Sequence, residues 1–148
     1  MARLHEHQGK RILAANGFQI PRGRAASSAD EVVAAANELG GNNGAEVVIK
    51  IQAWTTGRAG IGGVAFAKEP DEVRTQAARM LAMKVGQFPV EAVLVEEKIA
   101  IEREFFLSFA IDDRARAGDH LLFRRRKRDR RARGFDAAHR VRCESRTA

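Results

Sequence analysis

The segment Ala45–Val64, AEVVIKIQAWTTGRAGIGGV, decides the fold. Its first nine residues form an almost unbroken apolar run rich in β-branched side chains, the composition of a buried strand. Within its centre, VVIKI, one charge interrupts the apolar side chains, Lys50. The loop that follows carries Gly57, Gly60, Gly62 and Gly63 and leads into a second extended piece, GVAFAK. Glycines let backbone N–H groups approach an anion with no Cβ in the way, and a lysine on the adjoining strand can reach the same oxygens as a point charge. The residues therefore support two readings. One is a nucleotide-phosphate site; the other is a glycine-rich hairpin whose lysine extends along its stem to solvent. The spacing fits neither the P-loop nor the three-glycine dinucleotide fingerprint.

Outward from this segment, helical and extended patterns alternate. Leu4 to Asn16 reads as a helix, with Leu4, Ile12, Leu13 and Ala15 apolar and Gly17 as a left-handed stop. The extended piece PRGRAA follows, and Ser28-Ala-Asp-Glu31 forms a capping box ahead of VVAAANEL, closed by Gly40-Gly41. Pro70 opens a further helix in EPDEVRTQAARMLAMKV, where its missing N–H is harmless. EAVLVEEKI and REFFLSFAIDD then read as two strands. This order predicts an α+β fold, a mixed sheet with packed helices.

The 148 residues carry a net charge of +7, which is unevenly placed. From Arg114 to Ala148 there are 13 Lys and Arg against 4 Asp and Glu, a net of +9, leaving −2 for everything before. Such an imbalance marks either a binding arm or a foreign segment joined to an ordinary domain. Cys143 is the only cysteine, which excludes an intrachain disulfide and a paired-thiol metal site. No run is long and apolar enough to span a bilayer, and the N-terminus lacks the unbroken apolar stretch of a signal peptide, so a cytoplasmic location is expected, or an organelle matrix in a eukaryote.

Other candidate residues are less specific. Glu96, Glu97, Glu102 and Glu104 flank one short connection, where they could hold a ribose or a cation, or simply charge a solvated edge. His5 and His7, two apart on a helix, are expected on different faces and form no ligand set. Trp54 could cover a ligand or cap the core, and the core is the expectation.

Taken together, three ordered segments resemble the ATP-grasp β subunits of succinate–CoA ligase and their acyl-CoA ligase relatives. LHEHQGKRILAANGFQIPRG is similar to the family's N-terminal helix and its proline turn, with His7 in place of the usual aromatic. VVIKIQAWTTGRAGIGGV is similar to its lysine strand and glycine-arginine loop, and VLVEEKIAIEREFFLSFAIDDRAR to its hinge strand and the strand after it. The match covers about residues 3 to 116. The resemblance implies that Lys50 contacts ATP phosphates, that Gly57, Arg58 and Ala59 form the loop over them, that Glu96 and Ile99 sit at the adenine hinge, and that Glu104 faces the nucleotide. It further implies an α subunit partner that carries a phosphohistidine, formation of succinyl-CoA or a related thioester, and magnesium, whose ligands are expected downstream of this chain. The family loop reads Gly-Gly-Arg-Gly-Lys, whereas this chain has Thr56-Gly57-Arg58-Ala59-Gly60.

Beyond Gly118 the periodicity fails. Where the resemblance calls for a strand and a glycine loop, the chain has GDHLLFRRRKRDRR. Back-translated with common codons and read one base on, Gly118 to Leu121 yields Val-Ile-Ile, and Arg124 to Asp129 yields Gly-Gly-Gly-Ser-Gly-Ile. The expectation is a partial ATP-grasp domain over 1–117, lacking turnover by itself, and a disordered basic tail over 118–148 arising from a shifted frame. The competing reading is a non-catalytic binding module whose arginines hold nucleic acid. Clustered arginines attract polyanions whatever their origin, so nucleic-acid contact is expected only as non-specific, salt-sensitive binding.

Overall fold

The computed structural model describes residues 4–40, 45–102, 104–110, 120–126 and 139–142, and separates into two compact units, Met1–Ile99 and Ala100–Ala148. In the first, helix α1 (Glu6–Ala15) precedes strand β1 (Gly23–Ala26), helix α2 (Ala29–Gly40), strands β2 (Val47–Ile51) and β3 (Val64–Ala67), and helix α3 (Pro70–Leu81). A short hairpin of β4 (Lys84–Val85) and β5 (Phe88–Pro89) leads into β6 (Val93–Glu97).

The sheet has the order β1-β6-β2-β3. β6 pairs antiparallel with both β1 and β2, and β2 pairs antiparallel with β3. β1 and β2 thus run in the same direction, joined by α2, but β6 is inserted between them. The sequence predicted a mixed sheet; the described pairings are all antiparallel because the strands linked by crossovers never touch.

Pleating sends alternate residues to opposite faces. Val47, Ile49 and Ile51 of β2, with Val93 and Val95 of β6, face a core completed by Val32 and Ala35 of α2 and by Val73, Ala77 and Met80 of α3. The intervening residues Lys50, Leu94 and Glu96 therefore share the opposite face, which α1 covers. The apolar run legible in the sequence is thus a strand with one fully apolar side and one mixed side.

Local chemistry sets the element ends. Gly17 takes a left-handed φ of 83° after α1, as predicted. At α2, Glu31 N–H donates to Ser28 Oγ at 3.3 Å, but the Glu31 carboxylate accepts from Ser27 N–H at 2.7 Å, so the return half of the box closes one residue earlier than the sequence pattern implies. Gly40 is the last residue of α2, and Gly41 lies outside the described residues. Pro70 occupies the first turn of α3. That helix ends at Leu81 rather than continuing toward Val85, because Lys84 and Val85 pair with Pro89 and Phe88 around a turn in which Gly86 has φ 63°.

α1 buries none of its residues; Ile12 and Leu13 are exposed. Hydrogen bonds from Lys10 to Glu96 and from His7 to Gln52 tie it to the sheet.

In the second unit, β7 (Glu104–Ala110), β8 (His120–Arg126) and β9 (His139–Arg142) form an antiparallel sheet in that order. Two strands therefore lie in the stretch for which the sequence predicted no regular structure. A ladder needs only backbone donors and acceptors along a neighbouring strand, which β7 offers to β8, so pairing does not require side-chain alternation. Gly118 and Asp119, 127–138 and 143–148 lie outside the described residues. Among the described residues no helix is long and apolar enough to cross a membrane.

Candidate nucleotide site

Period-2 geometry brings Lys50 and Glu96 together. β2 and β6 pair with Val48 opposite Glu96 and Lys50 opposite Leu94, so Lys50 and Glu96 are diagonal neighbours on one face. Lys50 Nζ donates to Glu96 Oε2 at 2.5 Å. Lys10 of α1 donates to the other oxygen, Oε1. The Glu96 side chain is only 2% exposed, so both of its oxygens are satisfied by cations inside the fold. Gly23 makes this possible: a Cβ there would lie 2.7 Å from Glu96 Cγ and 2.8 Å from the Val95 carbonyl oxygen.

Glu6 forms the second node. Its Oε1 lies 3.1 Å from Lys10 Nζ and 3.3 Å from Lys50 Nζ, and its Oε2 accepts from Arg58 Nη2 at 2.5 Å. Arg58 also donates through Nη1 to the Ile51 carbonyl at 3.0 Å. Burial pushes the Glu6 carboxyl up, but the Arg58 hydrogen bond and the charges of Lys50 and Lys10 outweigh it and hold the group at about 2. For Lys50, burial acts downward and is overcome by the hydrogen bond to Glu96 and the charge of Glu6, so its pKa is raised. Three cations face two carboxylates, leaving one net positive charge in a half-buried setting suited to an anion.

The glycine loop is a short 3-10 turn, Arg58–Ile61, bounded by Gly57 at φ 70° and Gly62 at φ 76°. Both positions need the left-handed region that glycine adopts without strain. Ala59 sits inside the turn. A Cβ at Gly63 would meet Ile51 Cδ1 at 2.6 Å, so this glycine lets the loop return close over β2. Gln52, just past β2, is buried and accepts from the His7 N–H at 3.1 Å.

Two expectations about rings are corrected. Trp54 is 57% exposed and lies outside the core; β2 ends at Ile51, so the indole projects from the loop and stacks on His5 at 4.8 Å between centroids. His5 and His7 do not diverge but stack at 5.9 Å, because His5 is the extended residue that precedes α1 and not a member of the helix.

Of the residues singled out by sequence, Lys50, Arg58 and Glu96 belong to one ion-pair network, with Gly57 and Ala59 flanking Arg58. Ile99 is half exposed on the connection after β6, and Glu104 begins β7 of the second unit. Glu96 lines a pocket of about 400 Å³ with Lys10, Ile20, Pro21, Gly23 and Leu94. Glu6 and Arg58 line a more open one of about 490 Å³ with Trp54 and Thr56. Sequence reasoning missed Glu6 and Lys10. Their i,i+4 spacing on a helix was a visible signal, but an ordinary one for solvent-facing pairs.

The lysine strand turns back through a glycine-arginine loop with an acidic strand beside it, the arrangement that the sequence resemblance implies. The family model for the ATP-grasp domain matches residues 3–122, and the chain belongs to that family. Within it, the chain is similar to the β subunit of ADP-forming succinate–CoA ligase from Xylella fastidiosa, 44% identical over 116 residues that cover 74% of this chain and 29% of the relative. The corresponding subunit from Pyrobaculum arsenaticum is 36% identical over 121 residues, covering 82% and 30%. This chain therefore spans less than a third of the length of these relatives. Among solved structures, the dinucleotide forming acetyl-coenzyme A synthetase 1 of Ca. Korarchaeum cryptofilum, in complex with coenzyme A and Ca-AMPCP, superposes with a TM-score of 0.69 at 24% identity, covering 82% of this chain and 53% of that one. The resemblance drawn from three sequence segments and the α+β ATP-grasp fold both stand.

Proposed function

We propose that this chain supplies the phosphate-gripping part of an ATP site in an acid–CoA ligase of the succinate–CoA ligase type. Lys50 and Arg58 engage the phosphate oxygens, Gly57 and Ala59 carry the loop over them, and Glu96 and Ile99 border the adenine. The observation that supports this most is the convergence of Lys50 and Arg58 on one carboxylate beside Glu96, since preorganised cations are what phosphoryl chemistry requires.

In a protein with the full length of these relatives, the reaction forms succinyl-CoA or a related thioester with an α subunit bearing the phosphohistidine, in the cytoplasm. The relatives' names support that reading of the reaction. The ligands for magnesium are expected downstream of this chain. Among the described residues no group of three or more His, Cys, Asp and Glu gathers as a metal site, and Glu6 and Glu96 are both engaged by cations.

Calorimetric titration with ATP tests the site. Replacing Lys50 with Ala removes a charged hydrogen-bond donor, and affinity should fall by at least about tenfold. Equal affinity for ATP in the wild type and in Lys50→Ala would overturn the assignment.

A further inference from the structure

We propose that Glu6 is a positioning residue of the nucleotide site, fixing the separation and orientation of Lys50 and Arg58 so that their free N–H groups meet the phosphates together. The inference rests on the ATP reading above and assigns a role to a residue outside its phosphate contacts.

The geometry carries it. Lys50 comes from β2 and Arg58 from the 3-10 turn; the Ile51 carbonyl holds the Arg58 guanidinium against β2 and Glu96 holds the Lys50 ammonium, but neither of these contacts links the two head groups to each other. Glu6 bridges them, one oxygen toward each. Lys50 spends two of its three N–H donors on Glu6 and Glu96. Arg58 spends two of its five on Glu6 and the Ile51 carbonyl. The remaining donors can be given to an anion without breaking the bridge. Glu6 is itself well held. It opens α1, and that helix is tied to the sheet by Lys10 to Glu96 and by His7 to Gln52. A long lysine and a long arginine otherwise lose several rotamers on binding, a loss this bridge makes before the ligand arrives.

The idea makes a prediction opposite in sign to plain electrostatics. Glu6→Gln raises the net charge of the site from +1 to +2, which by charge alone tightens the binding of a polyanion. If Glu6 positions the cations, the same near-isosteric change weakens ATP binding, by about tenfold for a lost charged bridge. ATP titrations of the full 148-residue chain, of Glu6→Gln, of Lys50→Ala and of the double variant decide it, with thermal melting of each to show that it folds. Because Glu6 acts through Lys50, the double variant should bind better than the product of the single losses predicts. Glu6→Asp, which keeps the charge but is too short to span both cations, should fall between wild type and Glu6→Gln, and stands in for it if the amide does not fold.

Unchanged or tighter binding in Glu6→Gln, or strictly multiplicative losses, would overturn the positioning role alone. Absence of ATP binding by the wild type, or indifference to Lys50→Ala, would overturn the nucleotide reading and this role with it.

Discussion

Gly23 gives the sharpest structural test. It lies on β1 opposite Glu96, and an added Cβ would come within 2.7 Å of Glu96 Cγ and 2.8 Å of the Val95 carbonyl oxygen. A relaxed contact between carbons is about 3.5–4.0 Å, so Gly23→Ala demands a shift of roughly 1 Å. Neither neighbour yields easily: one atom belongs to the backbone of β6, and the other to a side chain anchored by Lys10 and Lys50. Overpacking of this kind costs about 1–3 kcal/mol. Taking about 2 kcal/mol and the response of a domain near 100 residues, the melting temperature should fall by about 10 °C. Gly60→Ala is the internal control, since no atom lies within 4 Å of its added Cβ and its φ is not left-handed. Thermal unfolding followed by far-UV circular dichroism reads both. A Gly23→Ala melting temperature within about 2 °C of wild type, or equal losses at the two glycines, would refute the claim that Glu96 is held in a space only glycine leaves.

Three further outcomes follow from the same contacts. The Glu6 carboxyl, at about 2 in the folded chain against an ordinary 4.5, contributes stability that is present above pH 4.5 and lost as pH falls toward 2, about 3 kcal/mol at most; urea midpoints in that window should drop for wild type and change little more with pH than expected from the other acids in Glu6→Gln. Met80→Ala leaves a cavity beneath both core helices and should cost about 2–5 kcal/mol by urea unfolding, whereas Phe88→Ala, at a residue 71% exposed, should stay within about 0.5 kcal/mol. Deleting 118–148 should abolish retention on a heparin column at low salt, with the full chain eluting as salt rises and showing no preference among nucleic-acid sequences.

The parts of the fold written locally were legible. The β-branched run at Val47–Ile51, Pro70 at a helix start and the glycine after Asn16 each act through near neighbours, and each appeared where the sequence places it. What could not be read was set by partners distant in the chain. The pairing of Glu96 with Lys10 spans 86 positions, and nothing near Lys10 distinguishes it from a solvated lysine. Trp54 looked like core because tryptophan is large and apolar, yet its surroundings depend on where β2 stops. The β4–β5 hairpin was hidden because Ala82 to Val85 continue a helical composition, although Gly86 between Val85 and Phe88 was a turn signal of the Gly-X kind.

The insertion of β6 between β1 and β2 also governs how the molecule can assemble. β2 can pair with β3 once residues 64–67 are made, but β1 has no partner until residues 93–97 have emerged, so a nascent chain of about 90 residues holds β1 unpaired and β2 paired on one side only. The last strand to arrive also delivers Glu96. Closure of the sheet and assembly of the charged cluster are therefore a single event, and a chain arrested short of it has neither.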